Sequence, residues 1–397
     1  MPIEDTDPRR VRCRAAVIAL VILIVLAGIA GLIGGVLARL ATKPSFSSSG
    51  GLFEKMTDPV GSNYFSVFLY PAEEALGAYE IPMSMGSPSS NMSILLDSGS
   101  ADFWVLNDTN GYPSSSTSFV QLADSGYTQS YGSGDVEGYF GNDTCSINGF
   151  TWSQQFALIT SSSGYLGDTT GLMGFARGCS PNGYDDEYLC AWSYWQLQQR
   201  VVSFYYDSLN WNGLFTAGYI NESLYCKQGT SLTYMPLLNE QLGDYYYWVG
   251  RVDMLVDGKL VGDGIRAIFD TGTTYMYLAD TLFDAVTTAA IDKSCVNPEV
   301  SFRIRGKIFT IPDSVFTGSP TDPSLTCGMR LYNWIPGPGY DALIGAVFLI
   351  NYYVVFDLAN LRLGFCEPQQ GLSDGASVNQ IGDIIDVKRP AKVIKRF

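Results

Sequence analysis

The chain has 397 residues, of which 46% are hydrophobic and only 16% charged, so it can bury a large core in one or two domains. Its formal net charge of −15 argues against nucleic-acid binding, because phosphate contacts require clustered lysine and arginine. It has no histidine, which excludes a Ser-His-Asp triad, a Cys-His dyad and a His-ligated zinc. Any acid–base chemistry therefore rests on Asp, Glu, Tyr, Lys or Cys.

The first predicted element is a transmembrane helix over residues 15–38. This stretch carries no charge and is long enough to span a bilayer. Four basic residues precede it and predict that residues 1–14 stay in the cytoplasm, with the body lumenal or extracellular: Arg9, Arg10, Arg12 and Arg14. The alternative is a signal peptide cleaved near Ala38, which yields a secreted protein.

Two further patterns are typical of an exported glycoprotein. The first is a set of four acceptor sequons, at Asn91, Asn107, Asn142 and Asn221. The second is a set of seven cysteines after the hydrophobic segment, which we expect to form disulfides in an oxidising compartment. Because seven is odd, at least one cysteine has no partner within this part of the chain.

The next elements are a stalk and a long β region. Residues 39–62 are Ser/Gly-rich and are interpreted as a stalk. From residue 63, short apolar runs broken by turn residues predict strands. One amphipathic helix is expected over residues 278–291, with Asp280 as its N-cap. Residues 367–397 form a mobile tail whose basic end is either a solvated terminus or a contact for acidic lipid or a partner.

A repeated pattern divides the β region. "SILLDSGSADFWVL" begins at Ser93 and "AIFDTGTTYMYL" begins at Ala267, and both place an acid and a Gly-containing turn after an apolar strand. Each is followed downstream by an apolar-apolar-Gly element, "GLMGF" and "ALIGAVF". One Asp-Ser/Thr-Gly tripeptide is ordinary turn chemistry, but two in the same frame predict two related β lobes, residues 63–230 and 231–366.

With these motifs, the region from about residue 63 to residue 366 resembles a pepsin-family aspartic protease. The resemblance implies an all-β, bilobal pepsin-like fold with the cleft between the lobes, and the catalytic acids Asp97 and Asp270. It implies that the hydroxyls of Ser98 and Thr271 cross-bond the two loops. The hydroxyls of Ser100 and Thr273 are placed to bond the carboxylates, and Gly99 and Gly272 let the backbone approach closely and turn sharply.

The resemblance extends to three other features. "SYGSGDVEGYF" resembles the family's flap hairpin, so Tyr131 and Gly132 are expected to close over substrate, with Trp104 hydrogen-bonded to Tyr131. Cys295 and Cys327 resemble the family's second-lobe disulfide. The chain departs from the family at Ala346, where an aspartate is common, and in its extra cysteines. For those we expect Cys179–Cys190 and Cys226–Cys366 bridges, with Cys145 left over.

The predicted function is an aspartic endopeptidase that is most active at acid pH. Two close carboxyl groups keep one proton between them, so one activates water while the other polarises the scissile carbonyl. We expect protein or peptide substrates, membrane association through the N-terminal helix, a monomer, and neither cofactor nor metal. The rival hypothesis is a catalytically silent binding protein on the same fold.

Overall fold

The computed structural model describes residues 63–71, 79–107, 112–164, 169–177, 195–207, 212–238, 247–318, 325–334 and 339–370. The predicted helix over 15–38, the stalk, Cys179, Cys190 and the tail beyond residue 370 lie outside these ranges. Among the residues described, no helix is long and apolar enough to cross a membrane.

Strands dominate the described residues. They are β1 (Phe65–Pro71), β2 (Tyr79–Met85), β3 (Ser90–Asp97), β4 (Phe103–Leu106), β5 (Val120–Tyr131), β6 (Gly134–Ile147), β7 (Phe150–Gly164), β8 (Gly171–Gly174), β9 (Val201–Asp207), β10 (Asn212–Ala217), β11 (Thr233–Pro236), β12 (Val249–Val256), β13 (Lys259–Phe269), β14 (Met276–Leu278), β15 (Val300–Ile304), β16 (Lys307–Thr310), β17 (Leu331–Asn333), β18 (Ala342–Ile344), β19 (Tyr353–Asp357) and β20 (Arg362–Cys366).

The helices within the described ranges are short, with one exception. They are α1 (Glu222–Tyr225), α2 (Asp280–Asp292), α3 (Asp313–Phe316) and α4 (Ala346–Leu349). Helix α2 is the amphipathic helix expected from the sequence, and it buries Leu282, Val286, Thr287 and Ala290.

The predicted N-cap of α2 is wrong. The N-cap is Ala279, whose backbone is extended and whose carbonyl accepts from the amides of Leu282 and Phe283. Asp280 is instead the first helical residue, where its carboxylate still interacts favourably with the N-terminal end of the helix dipole. The prediction is wrong by one residue, because the spacing of apolar residues predicts that a helix is present but does not locate its first residue.

Two sheets carry the same local topology. In the 13-stranded sheet the order β3-β8-β4-β7 contains parallel β3–β8, antiparallel β8–β4 and parallel β4–β7 pairs. In the 7-stranded sheet β13-β18-β14-β17 repeats that pattern pair by pair. The motif repeat in the sequence therefore corresponds to a repeat of strand topology, as a mostly-β bilobal fold requires. The predicted limits 63–230 and 231–366 stay a prediction.

The two halves meet in the 13-stranded sheet. Strands β11, β20 and β19 of the second half continue into β9, β10 and β1 of the first, through the antiparallel β19–β9 pair. A disulfide between Cys226, just after α1, and Cys366, at the end of β20, adds a covalent link in this region. A second disulfide joins Cys295 to Cys327, and Cys145 is free and buried. Both pairings agree with those expected from the sequence.

Candidate active site

Each acidic loop begins where a parallel strand pair ends. Asp97 is the last residue of β3 and pairs with Gly174 of β8, and its carbonyl accepts from the Phe175 amide at 2.8 Å. Asp270 directly follows β13, and its amide donates to the carbonyl of Ile344 on β18 at 3.0 Å. The sheet therefore fixes the backbone of both acids before any side-chain contact is considered.

The two carboxyl groups receive matching hydrogen bonds. Asp97 accepts from the Gly99 amide at 2.8 Å and from the Ser100 hydroxyl at 2.5 Å. Asp270 accepts from the Gly272 amide at 2.8 Å and from the Thr273 hydroxyl at 2.6 Å. Both acids are buried, with exposures of 6% and 8%. These contacts hold each carboxyl group in one orientation, as expected from the sequence for Ser100 and Thr273.

Ser98 and Thr271 cross-link the two loops beneath the acids. The Ser98 amide donates to Thr271 Oγ1 at 3.0 Å, and the Thr271 amide donates to Ser98 Oγ at 2.9 Å. Each hydroxyl also donates to a backbone carbonyl of the opposite strand: Ser98 to Phe269 at 3.1 Å, and Thr271 to Leu96 at 2.8 Å. Because both residues are buried, the four bonds tie the loops rigidly together.

The loop glycines explain how closely the loops approach. A Cβ on Gly99 would lie 2.5 Å from Asp270 Oδ2, and a Cβ on Gly272 would collide with Asp97 Oδ1. Each glycine therefore faces the carboxyl group of the other loop. The sequence suggested a close backbone approach and sharp turns as the reasons for these glycines, and the structure adds that a methyl group would occupy space needed by the opposite acid.

Burial and charge alter the acidity of Asp97. Its pKa is raised well above the usual range, first by burial, then by the charge of Asp270 and a hydrogen bond to that residue. The bonds from Ser100 and Gly99 act in the opposite direction but do not outweigh these effects. The pair therefore retains a proton at a pH where an exposed aspartic acid is ionised.

The hairpin formed by β5 and β6 carries the expected flap residues. Tyr131 ends β5 and pairs with Gly134, and Gly132 lies in the exposed turn between them. Trp104 Nε1 donates to the Tyr131 hydroxyl at 2.8 Å. The pKa of Tyr131 is raised by burial and then by the charges of Asp102 and Asp97.

Two residues at this site were not anticipated. Asp102 and Tyr127 are buried, and the Tyr127 hydroxyl donates to Asp102 Oδ2 at 2.8 Å. Two signals were present in the sequence: an acid inside the apolar run "ADFWVL", and a tyrosine four residues before Tyr131 on the same face of a strand. Over the described ranges, no group of three or more Cys, Asp or Glu side chains is placed to hold a metal.

The topology repeat and the matched acidic loops define a bilobal β protein with a two-carboxyl site. The family model described as eukaryotic aspartyl protease matches residues 78–368, which include both loops and the flap. Because this match covers well over half of the chain, the protein belongs to the pepsin family of aspartyl proteases, and it is an aspartic-type endopeptidase.

Several curated relatives are similar over most of their length. Gastricsin from Cavia porcellus is 28% identical over 335 residues, covering 76% of this chain and 83% of the relative. Pepsin B from Canis lupus familiaris is 25% identical over 361 residues, covering 82% and 86%. Penicillopepsin-1 from Penicillium janthinellum is 28% identical over 326 residues, covering 73% and 95%.

Proposed function

We propose that Asp97 and Asp270 are the catalytic pair of this endopeptidase and that it cleaves protein or peptide substrates best at acid pH. The observation that carries the proposal is the matched set of hydrogen bonds around two buried carboxyl groups, one of which has a raised pKa. Such an arrangement holds an acid and a base ready at one place without a metal or a nucleophilic side chain.

The proposed reaction uses water as the nucleophile. The ionised carboxyl group takes a proton from water as the oxygen attacks the scissile carbonyl carbon, and the protonated carboxyl group gives its proton to the carbonyl oxygen. As the C–N bond of the resulting gem-diol intermediate breaks, one hydroxyl returns its proton to the carboxyl group that is now ionised. The carboxyl group that took the water proton gives it to the leaving amine, so the pair again holds one proton. The raised pKa of Asp97 supports a free enzyme in which the pair holds one proton. The macroscopic titration belongs to the pair.

The surrounding residues support this role. Ser98 and Thr271 prevent the loops from separating, and Ser100 and Thr273 each hold one carboxyl group in a fixed orientation. Tyr131 and Gly132 belong to the flap hairpin that covers the bound peptide and excludes bulk water, and Trp104 of β4 holds Tyr131 by a hydrogen bond.

The pH profile of cleavage tests the proposal. We expect kcat/KM for an unfolded protein substrate to be highest at acid pH and to fall as the pair loses its last proton, because no group remains to protonate the carbonyl oxygen. A statine-type transition-state mimic should block this activity at about one molecule per active site. A rate that rises steadily towards pH 8 and resists the mimic would contradict the assignment. It would also favour the rival hypothesis of a silent binding protein with a contaminating activity.

We propose further that residues 15–38 anchor the enzyme in a membrane, with the catalytic body lumenal or extracellular. The support is the uncharged segment, the arginines before it, and sequons within described strands at Asn91 and Asn142. Expressed in full length in eukaryotic cells, the protein should stay in the pellet after alkaline carbonate extraction and shift in size on deglycosylation. A glycosylated form released into the medium, with its N-terminus near Arg39 or beyond, would instead support the signal-peptide alternative.

A further inference from the structure

The base of the flap contains a second tyrosine on the same strand face as the first. Tyr127 and Tyr131 are four residues apart on β5, so both side chains point to the same side. Tyr127 is only 5% exposed and packs edge-to-face against Phe140 of β6 at 5.7 Å, in a cluster with Trp104 and Val136. It is therefore anchored in the lobe, whereas Gly132 at the tip is exposed.

Asp102 connects this tyrosine to the acidic loop. It follows Asp97 by five residues, is 4% exposed, and accepts from the Tyr127 hydroxyl at 2.8 Å. Its own carbonyl accepts from the Gly174 amide at 2.8 Å, and Gly174 is also the sheet partner of Asp97. The backbone of Asp102 is thus held by the same strand, β8, that holds the catalytic loop.

The Tyr131 hydroxyl interacts with both this pair and the acidic loop. It accepts from Trp104 at 2.8 Å, and it interacts with the hydroxyl of Tyr127. The charges of Asp102 and Asp97 both act on it. Tyr127 and Tyr131 are therefore linked both through strand β5 and through their hydroxyls.

We propose that Asp102 and Tyr127 are a positioning pair that fixes the flap strand so that Tyr131 stands over the two acids. The inference rests on the proposed roles of Asp97 and Asp270. A hydrogen bond from a hydroxyl to a buried carboxyl group is among the stronger ones in a protein, and its loss leaves that group with one donor fewer. Removing the bond frees the flap strand at its base and lowers the fraction of bound complexes in which the flap is closed.

The test compares two buried tyrosines that each lose one hydroxyl. Tyr127→Phe removes the bond to Asp102. The matched control is Tyr112→Phe, because Tyr112 is also buried in the first half and donates to a buried carboxyl group, Asp143, at 3.1 Å. We expect Tyr127→Phe to lower kcat about tenfold with KM changed less than threefold, and Tyr112→Phe to stay within twofold of wild type in both.

Substitutions of the acid separate positioning from simple stability. Asp102→Asn keeps an oxygen that accepts from Tyr127, so it should retain a third or more of the wild-type kcat. Asp102→Leu keeps no acceptor and should match or exceed the loss in Tyr127→Phe. Equal kcat values for the Asn and Leu variants, both folded, would overturn the proposal.

Amide hydrogen exchange gives a readout that does not depend on catalysis. Amides of residues 128–136 should exchange faster in Tyr127→Phe than in wild type, with no such change in Tyr112→Phe. If the wild-type protein cleaves nothing, the proposed catalytic roles fail, but this measurement still decides whether the pair holds the flap. Identical exchange of residues 128–136 in the two variants would refute the positioning role.

Discussion

Asp97→Asn and Asp270→Asn are each expected to lower kcat/KM by about 10³-fold or more, because each removes one member of the proposed acid–base pair. An amide neither takes a proton from water nor delivers one to the carbonyl oxygen. Since the two groups act as a unit, the double variant should be scarcely worse than either single one. The measurement is kcat/KM for one peptide substrate at the pH optimum of the wild type.

Thermal stability measurements on Asp97→Asn distinguish a loss of catalytic chemistry from a loss of folded protein. The pKa of Asp97 is higher in the folded protein than its unfolded value of about 3.9, so the folded state binds more protons above that pH. Stability from this group is therefore fully present below about pH 3.9 and is lost as the pH rises through the folded pKa. Asparagine has no such dependence. Asp97→Asn should melt at a higher temperature than wild type at pH 7 and at a similar temperature at pH 3.

Two outcomes would count against the assignment. Full activity in either Asn variant means that the altered acid is not catalytic. An Asp97→Asn variant that is inactive and also melts well below wild type at pH 7 indicates instead that this carboxyl group stabilises the fold, since the pKa shift of Asp97 predicts the opposite change.

Much of the site follows from local sequence because its chemistry is repeated. The two Asp-Ser/Thr-Gly tripeptides identified the acids, and the hydroxyls expected at Ser100 and Thr273 contact the carboxyl groups three residues earlier. Contacts of this kind depend only on the shape of a short loop. The pairing of Trp104 with Tyr131 came from the resemblance to a family, and the structure contains that hydrogen bond.

Contacts between distant segments could not be predicted from local sequence patterns. The bond between Tyr127 and Asp102 depends on how the flap strand β5 is placed relative to the loop before β4. The register between strands cannot be predicted from the residues of one strand alone. Likewise, the sequence indicates that Gly99 and Gly272 allow a close backbone approach and a sharp turn, but the meeting of two loops 173 residues apart is needed to show what each glycine faces. The interlobe geometry, rather than the loops themselves, was therefore the missing information.

The close approach of each loop glycine to the opposite acid predicts the second large effect on activity. Gly99→Ala places a methyl group 2.5 Å from Asp270 Oδ2, and Gly272→Ala places one against Asp97. Neither glycine has a positive φ, so the backbone accepts alanine and the carboxyl group must move instead. A displacement of about 1 Å at the reacting groups costs roughly 10²-fold in rate. We expect kcat/KM to fall by about that factor in each variant.

Gly126→Ala is the matched control for this experiment. Gly126 lies in β5 and, like Gly99 and Gly272, has no positive φ, but a Cβ there meets nothing within 4 Å. It should keep wild-type kcat/KM. If Gly99→Ala and Gly272→Ala match this control in activity, the carboxyl groups tolerate displacement and the cleft is looser than its contacts indicate. If they lose activity while the affinity for a substrate peptide changes less than threefold, the two glycines act by leaving the acids in reacting position. The chain would then need glycine at both positions because each lobe's loop occupies space beside the other lobe's acid.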